Sequence, residues 1–363
     1  MSYQQYESKA VDAIKKAIPS SLKSNMLEKS KGMFAELFET SAVPNHYVAC
    51  AIDGIGTKII IAEAMGIYDT IGIDLVAMSS NDLATLGNVS PFLFMDYLAC
   101  QSKLQEKKIT GSIIKGIVRG LEMADASTAL RNSIKLQFGK GETASVDELI
   151  SAAREGYGFD IAGCLIGFAD KAYADEQKVM DGDLIIALPS SGAHSNGYTD
   201  LRYHLLKGDF ETRNEFKRKY KGRFSLEHDF NGTTIGQALL EPTRIYNKTV
   251  AAIAKSHSIQ GVNNTGYGLK NLNRIPGFEF HIKNPLKPLP IFDLMQKESK
   301  FNDEQMYSTF NMGMGFFIIC RKNEAESIVQ KTKNGIIVGH AKKSGQGKTI
   351  LYSENKKIIF EGY

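Results

Sequence analysis

The chain has 363 residues, of which 43% are hydrophobic and 23% are charged, and its formal net charge is +4. This length exceeds what a single hydrophobic core usually supports, so we expect two domains. The small net charge gives nucleic-acid binding no support, and no apolar run approaches the roughly 20 residues of a membrane span. The N-terminal stretch MSYQQYESKAVDAIKK lacks the apolar core of a signal peptide. The four cysteines lie far apart in apolar runs without a CxxC pair, which predicts free thiols and a cytoplasmic protein.

The spacing of apolar residues predicts strands and helices mixed along the whole chain. Residues 5–18 have apolar side chains at helical spacing and predict a helix that Pro19 ends. A helix over 58–66 ends at Gly66, another covers 70–86, and Thr110 is placed to cap a third. Strands are predicted at 46–52, 91–100, 133–138, 160–170, 183–189, 310–320 and 334–343.

A polar stretch at 171–182 separates two groups of these elements. We place the domain boundary there, with an N-terminal domain of residues 1–170 and a C-terminal domain of residues 171–363. The densest basic run, 207–224, also carries acidic residues, so we interpret it as a solvated helix or an insertion. The mixture of strands and helices predicts an α+β (mixed α/β) fold.

The first polar cluster, DGIGTK at 53–58, directly follows a predicted strand. Gly54 and Gly56 would let the backbone approach a ligand closely, and Lys58 is suited to a phosphate. Asp53 is suited to a metal ion. The cluster matches neither GxxxxGK[ST] nor GxGxxG, and a hairpin turn would also explain it.

Two further clusters contain acids. Asp74, Asn81 and Asp82 lie on the helix predicted at 70–86, where apolar neighbours indicate burial and a buried carboxylate needs a partner. Asp74 and Asp82 would be about 80° apart around the axis and about 12 Å apart along it, so they would serve two metals, or one metal and a substrate. Solvated side chains are the alternative. The third cluster, GKGETA at 139–144, follows a predicted strand and contributes Glu142. Acids at the ends of elements are what Mg²⁺ bound to nucleotide phosphates requires.

The loop SSGAHSNG at 190–197 follows the strand predicted at 183–189. It offers backbone N–H groups, hydroxyls and the imidazole of His194, a combination that suits a phosphate-bearing ligand. A plain turn rich in Gly, Ser and Asn is the alternative explanation.

Eight motifs occur in a fixed order: DGIGTK, DTIGIDLVAMSSNDL, GETA, DIAG, SSGAHSNGYTDLR, EPTRIYNK, NTGYGLKNLNRI and MYSTFNMGMG. This order resembles the phosphoribosylformylglycinamidine cyclo-ligase family, also called the aminoimidazole ribonucleotide (AIR) synthetases, over residues 46–343. The resemblance implies closure of the purine imidazole ring at the expense of ATP, with release of ADP and phosphate. It also implies a homodimer in which the N-terminal sheets form a barrel-like core, and a C-terminal mixed sheet with helices.

The resemblance further implies a small-molecule substrate, formylglycinamidine ribonucleotide, with ATP and Mg²⁺, and no nucleic-acid or membrane partner. The implied ATP-binding residues are Asp53, Gly54, Gly56, Thr57, Lys58, Asp74 and Asn81, and the implied metal ligands are Asp53, Asp82 and Glu142. The implied substrate-binding residues are Ser190, Ser191, Gly192, His194, Ser195, Asn196, Thr265 and Gly266. The implied catalytic residues are Lys58, Asp82 and His194, the last either as a base or as a hydrogen-bond donor.

The chain departs from the family pattern at three places. Asn263 stands where the family's HxTGGG motif has its histidine, and Tyr267 replaces a glycine of that motif. The segment 30–40, which corresponds to the family's Gly-rich cover over ATP, holds a single glycine. These departures leave an alternative open, a catalytically weak or inactive nucleotide-binding paralogue of the same superfamily.

Overall fold

The structure is a computed structural model that describes residues 13–14, 16–126, 134–152, 154–208, 220–353 and 356–362. Within these ranges the chain forms two larger sheets, one from each half, and a short hairpin. The expectation of a mixed α+β fold is confirmed. None of the helices in these ranges is long and apolar enough to cross a bilayer. All four cysteines are free thiols.

The first half forms a sheet of five described strands in the order β1-β2-β5-β3-β4. Neighbouring strands are antiparallel except for the parallel pair β3–β4. The residues of β5 alternate between buried and more exposed positions, because one face of the sheet packs on helices and the other does not. The strands are β1 (Glu36–Phe38), β2 (His46–Gly54), β3 (Val89–Cys100), β4 (Gln137–Ser145) and β5 (Phe159–Asp170).

Four α-helices of this half are described, and the central one is almost wholly buried. They are α1 (Ile59–Met65), α2 (Asp69–Ala84), α3 (Ser102–Glu106) and α4 (Ile109–Ala124), with 3-10 turns at Ser20–Lys23, Glu28–Ser30 and Gly56–Lys58. The helices α2 and α4 pack with their backbones in close approach. A Cβ on Gly72 would lie 2.2 Å from the carbonyl oxygen of Ile113, so this crossing requires glycine.

The second half forms a sheet of seven described strands in the order β14-β13-β10-β12-β6-β11-β9. Every residue of β11 is buried, because this strand is covered on both faces. The strands are β6 (Leu184–Pro189), β9 (Ile259–Asn263), β10 (Phe278–Ile282), β11 (Met314–Cys320), β12 (Ile336–Lys343), β13 (Lys348–Ser353) and β14 (Lys356–Glu361), with the hairpin β7 (Asp229–Phe230) and β8 (Thr233–Thr234). The helices are α5 (Lys171–Ala174), α6 (Tyr198–Leu205), α7 (Ile235–Leu240), α8 (Asn247–Ala254), α9 (Pro290–Ser299), α10 (Asp303–Thr309) and α11 (Ala325–Lys331), with a 3-10 turn at Gly268–Arg274.

The predicted strands and helices are mostly confirmed, with shifted ends. The strand predicted at 133–138 begins at Gln137 and continues through Ser145, so the GETA motif lies inside β4 and not in a loop. The cap predicted at Thr110 is wrong, because the helix begins at Ile109, its N-cap residue is Lys108, and Thr110 lies inside it. Parts of the predictions at 5–18 and 207–224 lie outside the described residues. The division of the chain at residue 170 stays a prediction.

Candidate functional site

Two acids of the predicted metal site, Asp53 and Asp82, come from different elements of the first half. Asp53 lies near the end of β2, and Asp82 lies near the end of α2. The pKa of Asp82 is raised to about 7, mainly by burial. The hydrogen bond from Asn263 and the charge of Arg274 oppose this rise, and the charge of Asp53 adds to it. The two carboxylates are thus near enough to interact electrostatically, an arrangement in which a divalent cation would be favourable.

Asn263 connects this acidic pair to the second sheet. It is the last residue of β9, and its Nδ2 donates a hydrogen bond to Asp82 Oδ1 at 2.8 Å. The family's histidine at this position is thus replaced by another side chain with an N–H donor. The site therefore lies where α2 meets the second sheet.

Glu142 does not join Asp53 and Asp82 within one chain. It lies in the middle of β4, opposite Tyr97 of β3, and is exposed next to Lys140, whose Nζ is 3.6 Å from Glu142 Oε2. In the described parts of the chain, no three His, Cys, Asp or Glu side chains converge to hold a metal ion. The predicted set of three ligands is therefore not assembled in the single chain, because Glu142 lies on the exposed face of the sheet and Asp53 on the helix-covered face.

Asp96 is an acid that the sequence analysis missed. It is only 8% exposed, its Oδ1 has no hydrogen-bond partner, and burial raises its pKa to about 6. The strand registers place it in one row with Asp53, with Gly163 of β5 between them, so both acids are on the helix-covered face. A Cβ on Gly141 would lie 2.8 Å from Asp96 Oδ1, so glycine leaves room for the carboxylate. The available signal was a lone acid within the apolar run PFLFMDYLAC.

Lys58 and Asp74, both from the first half of the chain, form a buried ion pair that contacts the second half. Both side chains are 0% exposed, and Lys58 Nζ lies 2.9 Å from Asp74 Oδ1 and 2.8 Å from Oδ2. The ammonium also donates to the backbone carbonyls of His194, at 3.1 Å, and Glu241, at 2.7 Å. A direct phosphate contact, as predicted for Lys58, would require these contacts to break. Burial lowers the pKa of Lys58, and Asp74 opposes that change.

The segment EPTRIY, residues 241–246, is held by polar residues of α2. Asp74 Oδ1 accepts hydrogen bonds from Thr243 N at 2.7 Å and from Thr243 Oγ1 at 2.6 Å. Asn81 donates to the carbonyl of Arg244 at 2.8 Å and accepts from Tyr246 N at 2.9 Å. Asp74 and Asn81, both predicted to bind ATP, thus contact the second half of the chain.

The loop SSGAHSNG leaves β6 and packs against these groups. Ser195 Oγ donates to Asp74 Oδ1 at 3.2 Å, and Ser191 Oγ donates to the carbonyl of Pro242 at 2.5 Å. The buried hydroxyl of Ser190 has no hydrogen-bond partner, and Gly192 accepts from Asn311 Nδ2 at 3.0 Å. The loop is therefore ordered by contacts from both halves.

His194 is buried and has a backbone conformation that favours glycine. Its side chain is 2% exposed and its φ is 59°. Burial, together with the charges of Lys58 and Arg244, lowers the pKa of His194 to about 3. Burial therefore favours the uncharged imidazole, and the catalytic role predicted for His194 stays a prediction.

The predicted substrate residues from the NTGYG motif lie beside the same loop. A Cβ on Gly266 would be 3.3 Å from Asn196 Oδ1, and Gly266, Thr265 and Asn196 are all partly exposed. Tyr267 has a φ of 105°, a conformation in which its family counterpart, glycine, is unstrained. The structure thus places the two predicted substrate segments next to each other.

The partly exposed turn containing Gly54, Gly56 and Thr57 joins β2 to α1. Gly54 N donates to Asp53 Oδ1 at 2.8 Å, and Gly56 has a φ of 63°, which suits glycine. Nearby, Arg274 Nη1 donates to the carbonyl of Gly32 at 2.9 Å, and its guanidinium lies over the ring of Phe34 at 4.2 Å. This contact fastens the N-terminal segment that corresponds to the family's cover over ATP.

Two family models match most of the chain. Residues 38–168 match the AIR synthase related protein, N-terminal domain, and residues 180–351 match the AIR synthase related protein, C-terminal domain. A phosphoribosylformylglycinamidine cyclo-ligase of Methanococcoides burtonii is 37% identical over 300 residues, covering 82% of this chain and 80% of the relative. One of Clostridium botulinum is 33% identical over 352 residues, covering 94% and 96%.

Solved structures of low sequence identity have a similar fold. Thiamine monophosphate kinase from Aquifex aeolicus is 15% identical, with a TM-score of 0.57 and coverage of 99% of both chains. The hydrogenase maturation protein HypE in complex with ATP is 13% identical, with a TM-score of 0.56 and coverage of 86% of this chain and 84% of that chain. At such identities the likeness concerns the fold alone.

Proposed function

Since the chain belongs to the AIR synthase family, whose curated relatives are named phosphoribosylformylglycinamidine cyclo-ligase, we propose that it catalyses this reaction. Formylglycinamidine ribonucleotide and ATP would give 5-aminoimidazole ribonucleotide, ADP and phosphate, a step of purine biosynthesis. The observation that carries the proposal is that polar residues of the first half meet two segments of the second half. Asp82 contacts Asn263, directly before the NTGYG motif. Lys58 and Asp74 contact the SSGAHSNG loop.

The chemistry requires activation of a poor leaving group. An amide oxygen leaves with difficulty, so phosphoryl transfer from ATP converts the formyl amide into an imidoyl phosphate. The substrate's own amidine nitrogen then attacks that carbon, and phosphate departs as the ring closes. The protein has to align the two reactants and to stabilise charge at the transferred phosphoryl group.

We place ATP at the end of β2 and α2. The turn with Gly54, Gly56 and Thr57 offers backbone N–H groups to phosphates, and Asp53 and Asp82 offer carboxylates. Neighbours of the same fold were solved with ATP and with AMPPCP, which supports ATP at this fold.

The residues fit a divalent cation. Asp53 and Asp82 are close enough to raise the pKa of Asp82, and the buried carboxylate of Asp96 has one oxygen without a hydrogen-bond partner in the same sheet. Mg²⁺ held by Asp53 and Asp82, with phosphate oxygens and water as its remaining ligands, would neutralise phosphate charge during transfer. Glu142, on the outer face of the sheet, is not part of this set within one chain.

We place the substrate against the loop SSGAHSNG and the motif NTGYG. The partly exposed residues Ser191, Ser195, Asn196, Thr265 and Gly266 surround this position. His194 is neutral at physiological pH, so we propose that it serves as a hydrogen-bonding group and not as the base.

Asn263 favours an active enzyme over the weak or inactive paralogue. Its amide donates to Asp82, so the position keeps a donor directed at the acidic pair. In an inactive paralogue, by contrast, a hydrogen bond from this position to Asp82 would not be required.

We propose a homodimer formed through the outer face of the first sheet. None of the described helices covers this face, which carries apolar side chains, among them Ile52, which is 74% exposed, and Tyr97. An apolar, uncovered sheet face of this kind is unfavourable in water, and a second copy of the chain would cover it. The four free thiols support a reducing, cytoplasmic location.

The test is ADP release by the purified protein with ATP, Mg²⁺ and formylglycinamidine ribonucleotide. Asp53→Asn and Asp82→Asn should each lower kcat about 10²-fold or more, because charge stabilisation by a bound metal ion is worth several kcal/mol and each 1.4 kcal/mol is tenfold. Asp69→Asn is the matched control, since Asp69 begins the same helix and pairs with Arg119 on the surface. Absence of substrate-dependent ADP release from the wild-type protein would refute the proposed function. Normal turnover of both variants would refute the metal assignment.

A further inference from the structure

In the buried pair of Lys58 and Asp74, the hydrogen bonds of both side chains go to protein groups. An ammonium has three N–H donors, and Lys58 directs them at Asp74 and at the carbonyls of His194 and Glu241. Asp74 Oδ1 accepts from Lys58, from the N–H and the hydroxyl of Thr243 and from Ser195, whereas Oδ2 lies 2.8 Å from Lys58 Nζ and has no hydrogen-bond partner. Both side chains are 0% exposed, so a phosphate cannot contact either of them in this conformation.

The residues held by this pair belong to the SSGAHSNG loop, which lies at the proposed substrate position, and to the neighbouring segment 241–246. Lys58 fixes the carbonyl of His194, whose backbone has the strained φ of 59°. Asp74 fixes Ser195 and, on the neighbouring segment, Thr243. The loop conformation is thus determined by a charge pair that comes from the first half of the chain.

The same two elements carry the acidic pair. Lys58 ends the turn that follows Asp53, and Asp74 lies two helical turns before Asp82 on α2. The ATP side and the substrate loop are therefore attached to one rigid support. A shift of either element would move the loop relative to the acids.

We propose that Lys58 and Asp74 are positioning residues that hold the substrate loop in register with the ATP side of the site, and that they do not contact phosphate. This inference rests on the proposed function. It predicts that loss of the pair reduces kcat and leaves ATP binding intact. A misplacement of about 1 Å costs on the order of 10²-fold in rate.

The experiment removes both charges together with the double variant Lys58→Met/Asp74→Asn, which leaves no unpaired buried charge. The matched control is Arg321→Met/Asp183→Asn, which removes an ion pair of the second half that contacts neither the loop nor the segment 241–246. Three quantities are measured: kcat, the Kd of ATP with Mg²⁺ in the absence of the second substrate, and amide hydrogen exchange of residues 190–197. The expected result is a kcat lowered about 10²-fold, a Kd within about threefold of wild type, and faster exchange in the double variant only.

Two outcomes would overturn the inference. A Kd raised tenfold with kcat retained at saturating ATP would make Lys58 a phosphate contact. Unchanged exchange of residues 190–197 would show that the pair does not order the loop, even if the wild-type protein proved to have no cyclo-ligase activity. If the double variant fails to fold, Thr243→Val, which removes one hydroxyl bond to Asp74, should still speed exchange of 190–197 and lower kcat about tenfold. No effect of Thr243→Val on either quantity would refute the inference.

Discussion

Lowering the pH from 7 to 5 should destabilise the protein through His194. An unfolded histidine has a pKa of about 6.5, whereas burial lowers the pKa of His194 to about 3 in the folded protein. Below pH 6.5 the unfolded chain therefore binds a proton that the folded chain does not. The contribution of His194 to stability is complete above pH 6.5 and falls by about 1.4 kcal/mol for each pH unit below it, until the folded pKa is reached. Between pH 6.5 and pH 5 the loss is about 2 kcal/mol.

The assay is urea unfolding of the wild-type protein and of His194→Gln at pH 7, 6 and 5. Glutamine does not titrate in this range, so the difference between the two free energies of unfolding isolates the imidazole. Burial also lowers the pKa of His281 and His340, but both residues are present in each protein and cancel in the difference. The free-energy difference should narrow by about 2 kcal/mol from pH 7 to pH 5. Parallel pH dependences would refute the conclusion that His194 is neutral and buried.

Two further predictions concern the dimer and the packing around His194. Ile52→Glu places a charge on the outer sheet face and should convert the dimer into a monomer in sedimentation experiments. Met123→Glu, at another exposed apolar position, should leave the dimer intact. A monomeric wild-type protein would contradict the dimer itself. Gly315→Ala should lower the free energy of unfolding, measured in urea, by about 1–3 kcal/mol, because the added Cβ would lie 1.9 Å from Tyr246 Oη and 2.6 Å from His194 Cε1. An unchanged free energy of unfolding would show that the two rings move aside without strain.

Sequence reasoning was most successful where a signal is local. The strands β2, β3, β5 and β6 and the helices α1 and α2 follow from apolar spacing and from caps such as Gly66. The ordered motifs led to the family, because each motif is a contiguous string of letters. The closeness of Asp53 and Asp82 was also within reach, since both follow apolar segments that must pack together.

Sequence reasoning failed where a residue's role depends on its partners. GETA looks like a loop because of its glycine and its polar residues, yet Gln137–Ser145 is a strand, since pairing with β3 outweighs local propensity. Asp96 was overlooked because a lone acid in an apolar run carries no motif. Its importance comes from its burial and from its place in one row with Asp53.

The sequence by itself determined the mixed α+β fold, the positions of most strands and helices, and the family, because these depend on local periodicity and on contiguous motifs. Only the tertiary structure decided the protonation state of His194 and the pairing of Lys58 with Asp74. The pair joins residues 16 positions apart, and the two backbone carbonyls that Lys58 also binds come from segments 136 and 183 positions away. A pKa and a set of hydrogen-bond partners depend on which distant groups share a buried space, and residue types along the chain do not specify that.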